Sequence, residues 1–469
     1  MTRQAWSKPS LVTHHGGFMN KFGTTRPADS TLQAEMDNVP LLPLIEQYGS
    51  PLFVFSEKTL RENVRRLQRS FATRWPVVHH GWSYKTNYLS AICNVFHQED
   101  SWAEVVSELE YSKAREQGVP GSRIIFNGPW KPAPALETAA REGALIHIDH
   151  LDEIYELERI GDRLGKAIAV GIRLNFETGY TDTWSRFGFN LESGAAHDAV
   201  QRIAASKHLK LTGLHSHIGT FILDVRAYAV QARVMVDFMI AIEQEFGCVI
   251  DYLDIGGGFA SRNALHGIYL PPEQVTPSFD QYAEAISESL MEATRARVAA
   301  GKKLPALFLE TGRAVIDDAS VLLTTVVGGK RLPDGRRASI VDAGVNTLFT
   351  AFWYNHDIKP LAAQDGIPEE TVIYGPLCMN IDVIRASIML PPLNAGDVLA
   401  VRPAGAYNNT QWMQFIHSRP AVLMVMENGN VELIRHAEQL DTLSSQEVIP
   451  KGLQQPFGKK GGSSGRNNQ

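Results

Sequence analysis

The 469-residue chain has three cysteines, Cys93, Cys248 and Cys378, too few and too far apart for a disulfide framework or a zinc knuckle. A reducing, cytoplasmic setting is the expectation. It also lacks an apolar run of about 20 residues and an N-terminal apolar h-region, which argues against membrane insertion and secretion. Positive charge is not in excess either: 45 Lys and Arg stand against 51 Asp and Glu, a formal net charge of −6. No basic face for nucleic acid is indicated, so small-molecule chemistry moves ahead. What is present, 44% hydrophobic and 20% charged residues, is the composition of a folded protein with a large core. Residues 1–38, polar and broken by Pro and Gly, read as an extension. Residues 451–469 read as a disordered tail, because Gly, Ser, Lys and Asn cannot bury enough apolar area to offset their ordering entropy.

From Trp75 onward one unit recurs: a short apolar, β-branched run, then polar or Gly-rich residues, then a segment of helical periodicity. The strand candidates are Val77 to Tyr84, Trp102 to Val106, Arg123 to Phe126, Leu145 to Ile148, Ala167 to Leu174, Leu209 to Leu214, Val249 to Ile255 and Leu304 to Leu309. Helix candidates such as Leu151 to Ile160, Val225 to Phe246 and Phe279 to Ala299 lie between them. This pattern predicts an α/β fold, a (β/α)8 TIM-type barrel over residues 57–319, with functional groups at the C-terminal ends of the strands. After about Asp318 the period changes: Ser320 to Val327, Ser339 to Val341, Val372 to Tyr374, Val398 to Val401 and Ala421 to Met426 are strand-like without long helices between them. Pro333-Asp334-Gly335 and Asn428-Gly429 suit tight hairpins. Residues 320–450 therefore read as an antiparallel β domain, a barrel or sandwich. Pro51 to Phe55, within the segment 39–56, reads as a strand joining its sheet.

Unusual polar residues stand just past the predicted barrel strands. Lys85 ends the first in Ser83-Tyr84-Lys85-Thr86-Asn87, and His217 follows the sixth in His215-Ser216-His217-Ile218-Gly219-Thr220. Gly256-Gly257-Gly258 follows the seventh, and Glu310-Thr311-Gly312-Arg313 follows the eighth. Singly, each has an ordinary role: a solvated lysine, a structural histidine, a tight turn, a salt bridge between Glu310 and Arg313. At a barrel mouth, however, desolvation depresses a lysine pKa and favours a Schiff base, and a glycine turn after strand seven offers backbone N–H groups to a phosphate. An imidazole able to stack on a flat ring and a carboxylate able to hold a pyridinium proton complete what pyridoxal 5'-phosphate requires. Such a protonated ring is an electron sink, which loss of CO2 from Cα needs most.

These motifs resemble the fold-type III pyridoxal-phosphate decarboxylases, the family of diaminopimelate, ornithine and biosynthetic arginine decarboxylases, over about Pro51 to Val425. The resemblance is carried by Tyr84-Lys85-Thr86-Asn87, His217-Ile218-Gly219-Thr220, Asp254-Ile255-Gly256-Gly257-Gly258, Glu310-Thr311-Gly312-Arg313, Gly375-Pro376-Leu377-Cys378 and Gly405-Ala406-Tyr407. It implies that Lys85 tethers the cofactor, that His217 stacks on the ring, and that Glu310 binds the pyridine nitrogen. Gly256, Gly257, Gly258, Thr220, Gly312 and Tyr407 would surround the phosphate, with Arg313 near it or near the substrate carboxylate. A head-to-tail homodimer is also implied, in which Cys378 of the partner subunit reprotonates Cα. Without the motif, a buried cysteine reads as a small hydrophobe.

Departures from the family pattern concern the substrate. Members acting on diamines or their precursors carry an acidic residue after the interface cysteine, where this chain has Met379, and a thioether cannot offset an ammonium charge. The arginine that reads the distal carboxylate of diaminopimelate is replaced by Thr350 in Gly344-Val345-Asn346-Thr347-Leu348-Phe349-Thr350, while Tyr354 remains. Phe352, Trp353 and Trp412 suggest an aromatic distal pocket, or plain core and interface packing. Lys131, in Asn127-Gly128-Pro129-Trp130-Lys131, reads as a solvated loop lysine. The expectation is a decarboxylase of an α-amino acid or amino-acid conjugate, in a specialised pathway such as siderophore or natural-product synthesis. The alternatives are diaminopimelate decarboxylation or an amino-acid racemase or epimerase on the same fold.

Overall fold

The computed structural model describes residues 34–268 and 270–453. The predicted extension 1–38 and tail 451–469 fall largely outside them; of the tail, Lys451–Leu453 forms one helical turn. Eight parallel strands, Val78–Ser83, Trp102–Val105, Ile124–Phe126, Leu145–Ile148, Ile168–Asn175, Leu209–Ser216, Tyr252–Asp254 and Ala306–Leu309, follow one another in register and close on themselves. Closure comes from Leu307 to Leu309 pairing with Val78 to His80. Each short apolar strand buries both faces, one against the barrel interior and one against the helical ring.

The first helix of the ring, Glu57–Ala72, shows how the sequence places its elements. Ser56 caps it by accepting a hydrogen bond from Thr59 N–H at 3.0 Å. Leu60, Val64, Leu67 and Phe71 fall on one stripe and are fully buried, each contributing about 1.5–3 kcal/mol by leaving water. The helix expected over 279–299 is broken into Phe279–Ala293 and Arg295–Ala299. Thr294 divides them, its Oγ1 donating back to Leu290 O at 2.7 Å, a bond that competes with the helical ladder.

The second domain is built on Ser320–Arg331, paired antiparallel with Arg337–Val341, Val398–Arg402 and Leu52–Ser56. The turn at Pro333-Asp334-Gly335 joins the first pair, and Gly335 supplies φ +86°. Two pairings are parallel: Arg337–Val341 with Glu369–Tyr374, and Leu52–Ser56 with Ala421–Val425. Leu52–Ser56 is buried along its whole length, as a central strand reading Leu-Phe-Val-Phe requires. The segment 39–56 is not all strand. Leu42–Tyr48 is a helix, entered through Pro43 in its first turn and anchored by buried Leu44.

One buried side chain ties the mouth of the barrel together. Gln231, on helix Arg226–Phe246, donates from Nε2 to Ser216 O at 2.8 Å and to Ile255 O at 3.1 Å. Those carbonyls immediately precede His217 and Gly256. Gln231→Leu leaves both carbonyls without a donor and is expected to lower unfolding free energy by about 1–3 kcal/mol, read from the denaturant midpoint of the cofactor-loaded protein. A midpoint equal to wild type contradicts the clamp.

Candidate active site

The ends of strands one, two, three, five, six and eight converge on a cavity of about 390 Å³. Lys85, His217, Thr220, Glu310, Arg313 and Tyr407 line it, and all six also line a narrow cleft beside it whose wall includes Gly257, Gly258 and Gly312. The structure thus gathers most of the residues singled out in the sequence.

Lys85 sits in a single helical turn after strand one, its Nζ 2.6 Å from both carboxylate oxygens of buried Glu104. Burial alone pulls its pKa down, as expected from the sequence, but Glu104, then Glu310 and Tyr407, outweigh that pull and the net shift is upward. Lys85 is therefore a charged amine in this arrangement. An amine attacks a carbonyl only as the free base, and Glu104 is the base in reach of its proton.

His217 is fixed by the glycine turn. Gly257 N–H donates to His217 Nδ1 at 3.0 Å, so Nδ1 carries no proton. Burial, reinforced by Arg173 and Lys85, holds the imidazole pKa well below its usual value. The neutral ring is free to pack on a flat ligand. The three glycines are dictated by close approach. A Cβ on Gly256 (φ +68°) would meet His217 Nδ1 at 2.7 Å, one on Gly257 would meet Glu310 O at 2.4 Å, and one on Gly258 (φ +91°) would meet Gly219 O at 2.3 Å.

Glu310 forms the floor. Its Oε1 accepts from Asn127 Nδ2 at 2.5 Å, and its Oε2 lies 3.4 Å from His215 Nε2. His147 stacks on His215 at 4.6 Å, and Asp254 completes a buried quartet with these three. Burial, then the charge of Glu310, pushes the Asp254 carboxyl well above its usual range, while burial keeps both imidazoles neutral. Glu310 is thus backed by an acid whose carboxyl is held toward its neutral form and by neutral rings.

Arg313 lies among the rings of Tyr407, Tyr354 and Phe221, with its Cζ 4.6, 5.3 and 5.8 Å from their centroids. One nitrogen donates to Thr220 Oγ1 at 3.3 Å, and Nη1 is buried without a partner, an orphan donor suited to an anion. Tyr407 is held at φ +66° and donates its N–H to Thr86 O at 2.8 Å, beside Lys85.

The expected substrate-side residues Thr350, Tyr354 and Met379, and Cys378, are not on this cavity wall. Thr350 is buried in its own network, bonded to Asn408 Oδ1 at 2.9 Å and His356 Nε2 at 3.0 Å, and does not line the cavity. Tyr354 lies beneath Arg313. Met379 packs on the core, and Cys378 is exposed rather than buried. Of the aromatics, Trp353 lines the cavity, whereas Phe352 and Trp412 do not. Lys131 is not solvated: it is fully buried in an ion pair with Glu153 at 2.8 Å and donates to Gly128 O. The sequence reading also missed Glu104, Asn127, Arg173, Trp184, Arg186 and His215. An acid inside the apolar run Trp102-Ala103-Glu104-Val105 was the available signal for the first.

Comparison with known proteins agrees with this geometry. The sequence matches the profile of the pyridoxal-dependent decarboxylase pyridoxal binding domain over residues 59–317, and that of the pyridoxal-dependent decarboxylase C-terminal sheet domain over 313–405. It is 30% identical over 421 residues to the diaminopimelate decarboxylase of Methanothermobacter thermautotrophicus, covering 87% of this chain and 94% of that protein. For the Bacillus subtilis diaminopimelate decarboxylase the values are 29% over 425 residues, 87% and 94%. The solved structure of the M. jannaschii diaminopimelate decarboxylase superimposes with a TM-score of 0.81 at 25% identity, covering 89% of this chain and 96% of that one.

The residues present fit pyridoxal phosphate: a primary amine, a flat neutral ring, a buried carboxylate, an orphan guanidinium donor and a cradle that a Cβ would fill. Gly258→Ala is expected to weaken pyridoxal phosphate binding at least about tenfold, measured by cofactor titration, and also to lower the unfolding temperature of the cofactor-free protein, because its Cβ would meet Gly219 O at 2.3 Å at φ +91°. Unaltered affinity contradicts the cradle.

Proposed function

The chain belongs to the pyridoxal-dependent decarboxylases, and from that premise we propose that its substrate is an α-amino acid whose far end is not a lone amine or guanidine. We propose further that two copies complete each other's sites. The observation that carries the substrate reading is the charge of the cavity wall. Arg173, Arg186 and Arg313 line it with Trp184, Phe187 and Trp353, and the only carboxylate among its lining residues is Glu310, at the floor. A distal ammonium would find no partner among these residues, at a cost of about 3–5 kcal/mol for a buried unpaired charge.

When bound, pyridoxal phosphate supplies an electron sink conjugated to Cα of the amino acid. In this reading Lys85 holds the cofactor aldehyde, His217 supports one ring face, and Glu310 accepts the pyridinium N–H. Gly256, Gly257, Gly258, Thr220, Gly312, Arg313 and Tyr407 surround the phosphate. Glu310 also argues against racemisation, since a carboxylate at the ring nitrogen deepens the sink that loss of CO2 demands.

The dimer reading is supported by the surface around Cys378. Val345 N–H donates to Asp382 Oδ1 at 2.8 Å and Asn346 Nδ2 to Phe415 O at 3.4 Å, so the loops bearing Cys378 and Phe415 meet on one segment. Cys378, Ile381, Phe415 and Ile416 are exposed there, an apolar patch of the kind that a second subunit covers. Cys378 of the partner subunit would then deliver the proton to Cα.

The second reading is meso-diaminopimelate, favoured by the names of the relatives, which lend nothing to a siderophore or natural-product pathway. Incubating the cofactor-loaded protein with glutamate, 2-aminoadipate, 2-aminopimelate, meso-diaminopimelate, lysine, ornithine and arginine separates the cases. Release of CO2 from acid-ended substrates is expected; best turnover of lysine, ornithine or arginine overturns the proposal, and so does loss of optical rotation without CO2. Mixing inactive Lys85→Ala and Cys378→Ala variants is expected to restore about a quarter of wild-type activity, the share of intact shared sites in randomly paired dimers. No recovery contradicts sharing.

A further inference from the structure

Tyr407 and Phe221, at φ +66° and +56°, are the two aromatic residues with left-handed backbone among the described residues, and both face Arg313, whose Cζ lies 4.6 and 5.8 Å from their ring centroids. A side chain larger than glycine keeps that conformation only where its surroundings over-determine it. For Tyr407 the preceding chain is fixed by Asp317: Gly405 N–H donates to Asp317 O at 3.0 Å and Ala406 N–H to Asp317 Oδ1 at 3.3 Å. The following residue, Asn408, is fixed by Thr350, 58 positions away.

Asn408 Oδ1 accepts from Thr350 N–H at 3.1 Å and from the Thr350 hydroxyl at 2.9 Å, and Asn408 Nδ2 donates to Ala404 O at 3.0 Å. A hydroxyl has a single proton, and that of Thr350 goes to Asn408. The 3.0 Å bond between the same oxygen and His356 Nε2 is therefore donated by the imidazole. Burial drops the His356 pKa to about 3, so the ring is neutral and its one N–H is on Nε2. The polar chain runs in one direction, from His356 to Thr350 to Asn408. All three residues are at most 1% exposed, inside one subunit and away from any surface that a second copy could cover. Thr350 O also accepts from Trp353 N–H at 2.9 Å and Tyr354 N–H at 3.0 Å, and the Trp353 ring meets Tyr407 edge-on at 6.4 Å and 84°.

We infer that Thr350 and Asn408 are positioning residues for the cofactor, holding Tyr407 in its left-handed conformation so that its side chain stays on the wall of the cleft beside Gly257, Gly258, Gly312 and Arg313. This rests on the reading of Tyr407 as a neighbour of the phosphate. Thr350 then acts from behind the wall, through Asn408, and not by touching substrate. Valine has the shape of threonine without its hydroxyl, so Thr350→Val leaves His356 Nε2–H without its acceptor and Asn408 Oδ1 with one donor instead of two.

Making Thr350→Val both in wild type and in a Tyr407→Gly background separates positioning from plain structural support, because the glycine has no ring to place and adopts positive φ without strain. Each full-length protein is titrated with pyridoxal phosphate by absorbance, and its unfolding temperature is recorded. Tyr407→Gly by itself is expected to weaken the cofactor at least about tenfold. Thr350→Val should weaken it about tenfold in wild type and less than about twofold in the Tyr407→Gly background, while lowering the unfolding temperature in both. Thr350→Ser, which keeps the hydroxyl, should stay within about twofold of wild type. Asn408→Leu should reproduce the Thr350→Val pattern, so either variant decides the matter if the other does not fold. An equal loss of affinity in both backgrounds, or none in wild type, overturns the inference. Failure of the underlying reading looks different: Tyr407→Gly itself would bind the cofactor as wild type does, which overturns both.

Discussion

Backbone packed against backbone at Gly256–Gly258 is the constraint on which the site depends. Gly256 O accepts from Glu310 N–H at 2.8 Å, Gly257 O from the Tyr228 hydroxyl at 2.8 Å, and Gly258 O from Ile222 N–H at 2.9 Å. Gly257 N–H holds the His217 ring. One turn therefore locks the ends of strands six, seven and eight, and with them His217, Glu310 and the backbone of Gly256–Gly258. Any side chain there would push these groups apart, and a displacement of about 1 Å is enough to spoil a catalytic geometry.

The electrostatics follow from where the barrel hides charge. Its interior holds Glu310, Asp254, His147 and His215 in one buried quartet, and burial there pushes the Asp254 carboxyl and both imidazoles toward their neutral forms, since each ion would be paid for in lost hydration. At the rim the balance is opposite: arginines face the cavity, and Glu104 is reserved for Lys85. A wall that is basic at the mouth and acidic at one point of the floor gives an incoming zwitterion an orientation before any contact is made.

The barrel strands and the residues gathered at their ends were legible in the sequence because each is a local pattern. A strand of the barrel is a short apolar run, and the functional residue comes at its end, so Lys85, His217, Gly256–Gly258 and Glu310 could be placed by counting. Asn127, Arg173 and His215 were not legible, because their roles arise from neighbours brought in from other strands: Asn127 meets Glu310 across 183 positions of sequence. Thr350 is a different case. Position in a motif placed it at the substrate, but its hydroxyl is already committed to Asn408 and His356.

The sequence alone determined the fold class, the cofactor and the reaction class, because periodicity, strand-end chemistry and glycine spacing are short-range properties that survive without knowledge of packing. Tertiary structure decided the rest. It set the Lys85 charge, since only folding brings Glu104 to 2.6 Å, and it turned Lys131 from a presumed surface charge into a buried partner of Glu153. Charge states and buried partners depend on distances between residues far apart in the chain, and those distances exist only once the barrel has closed.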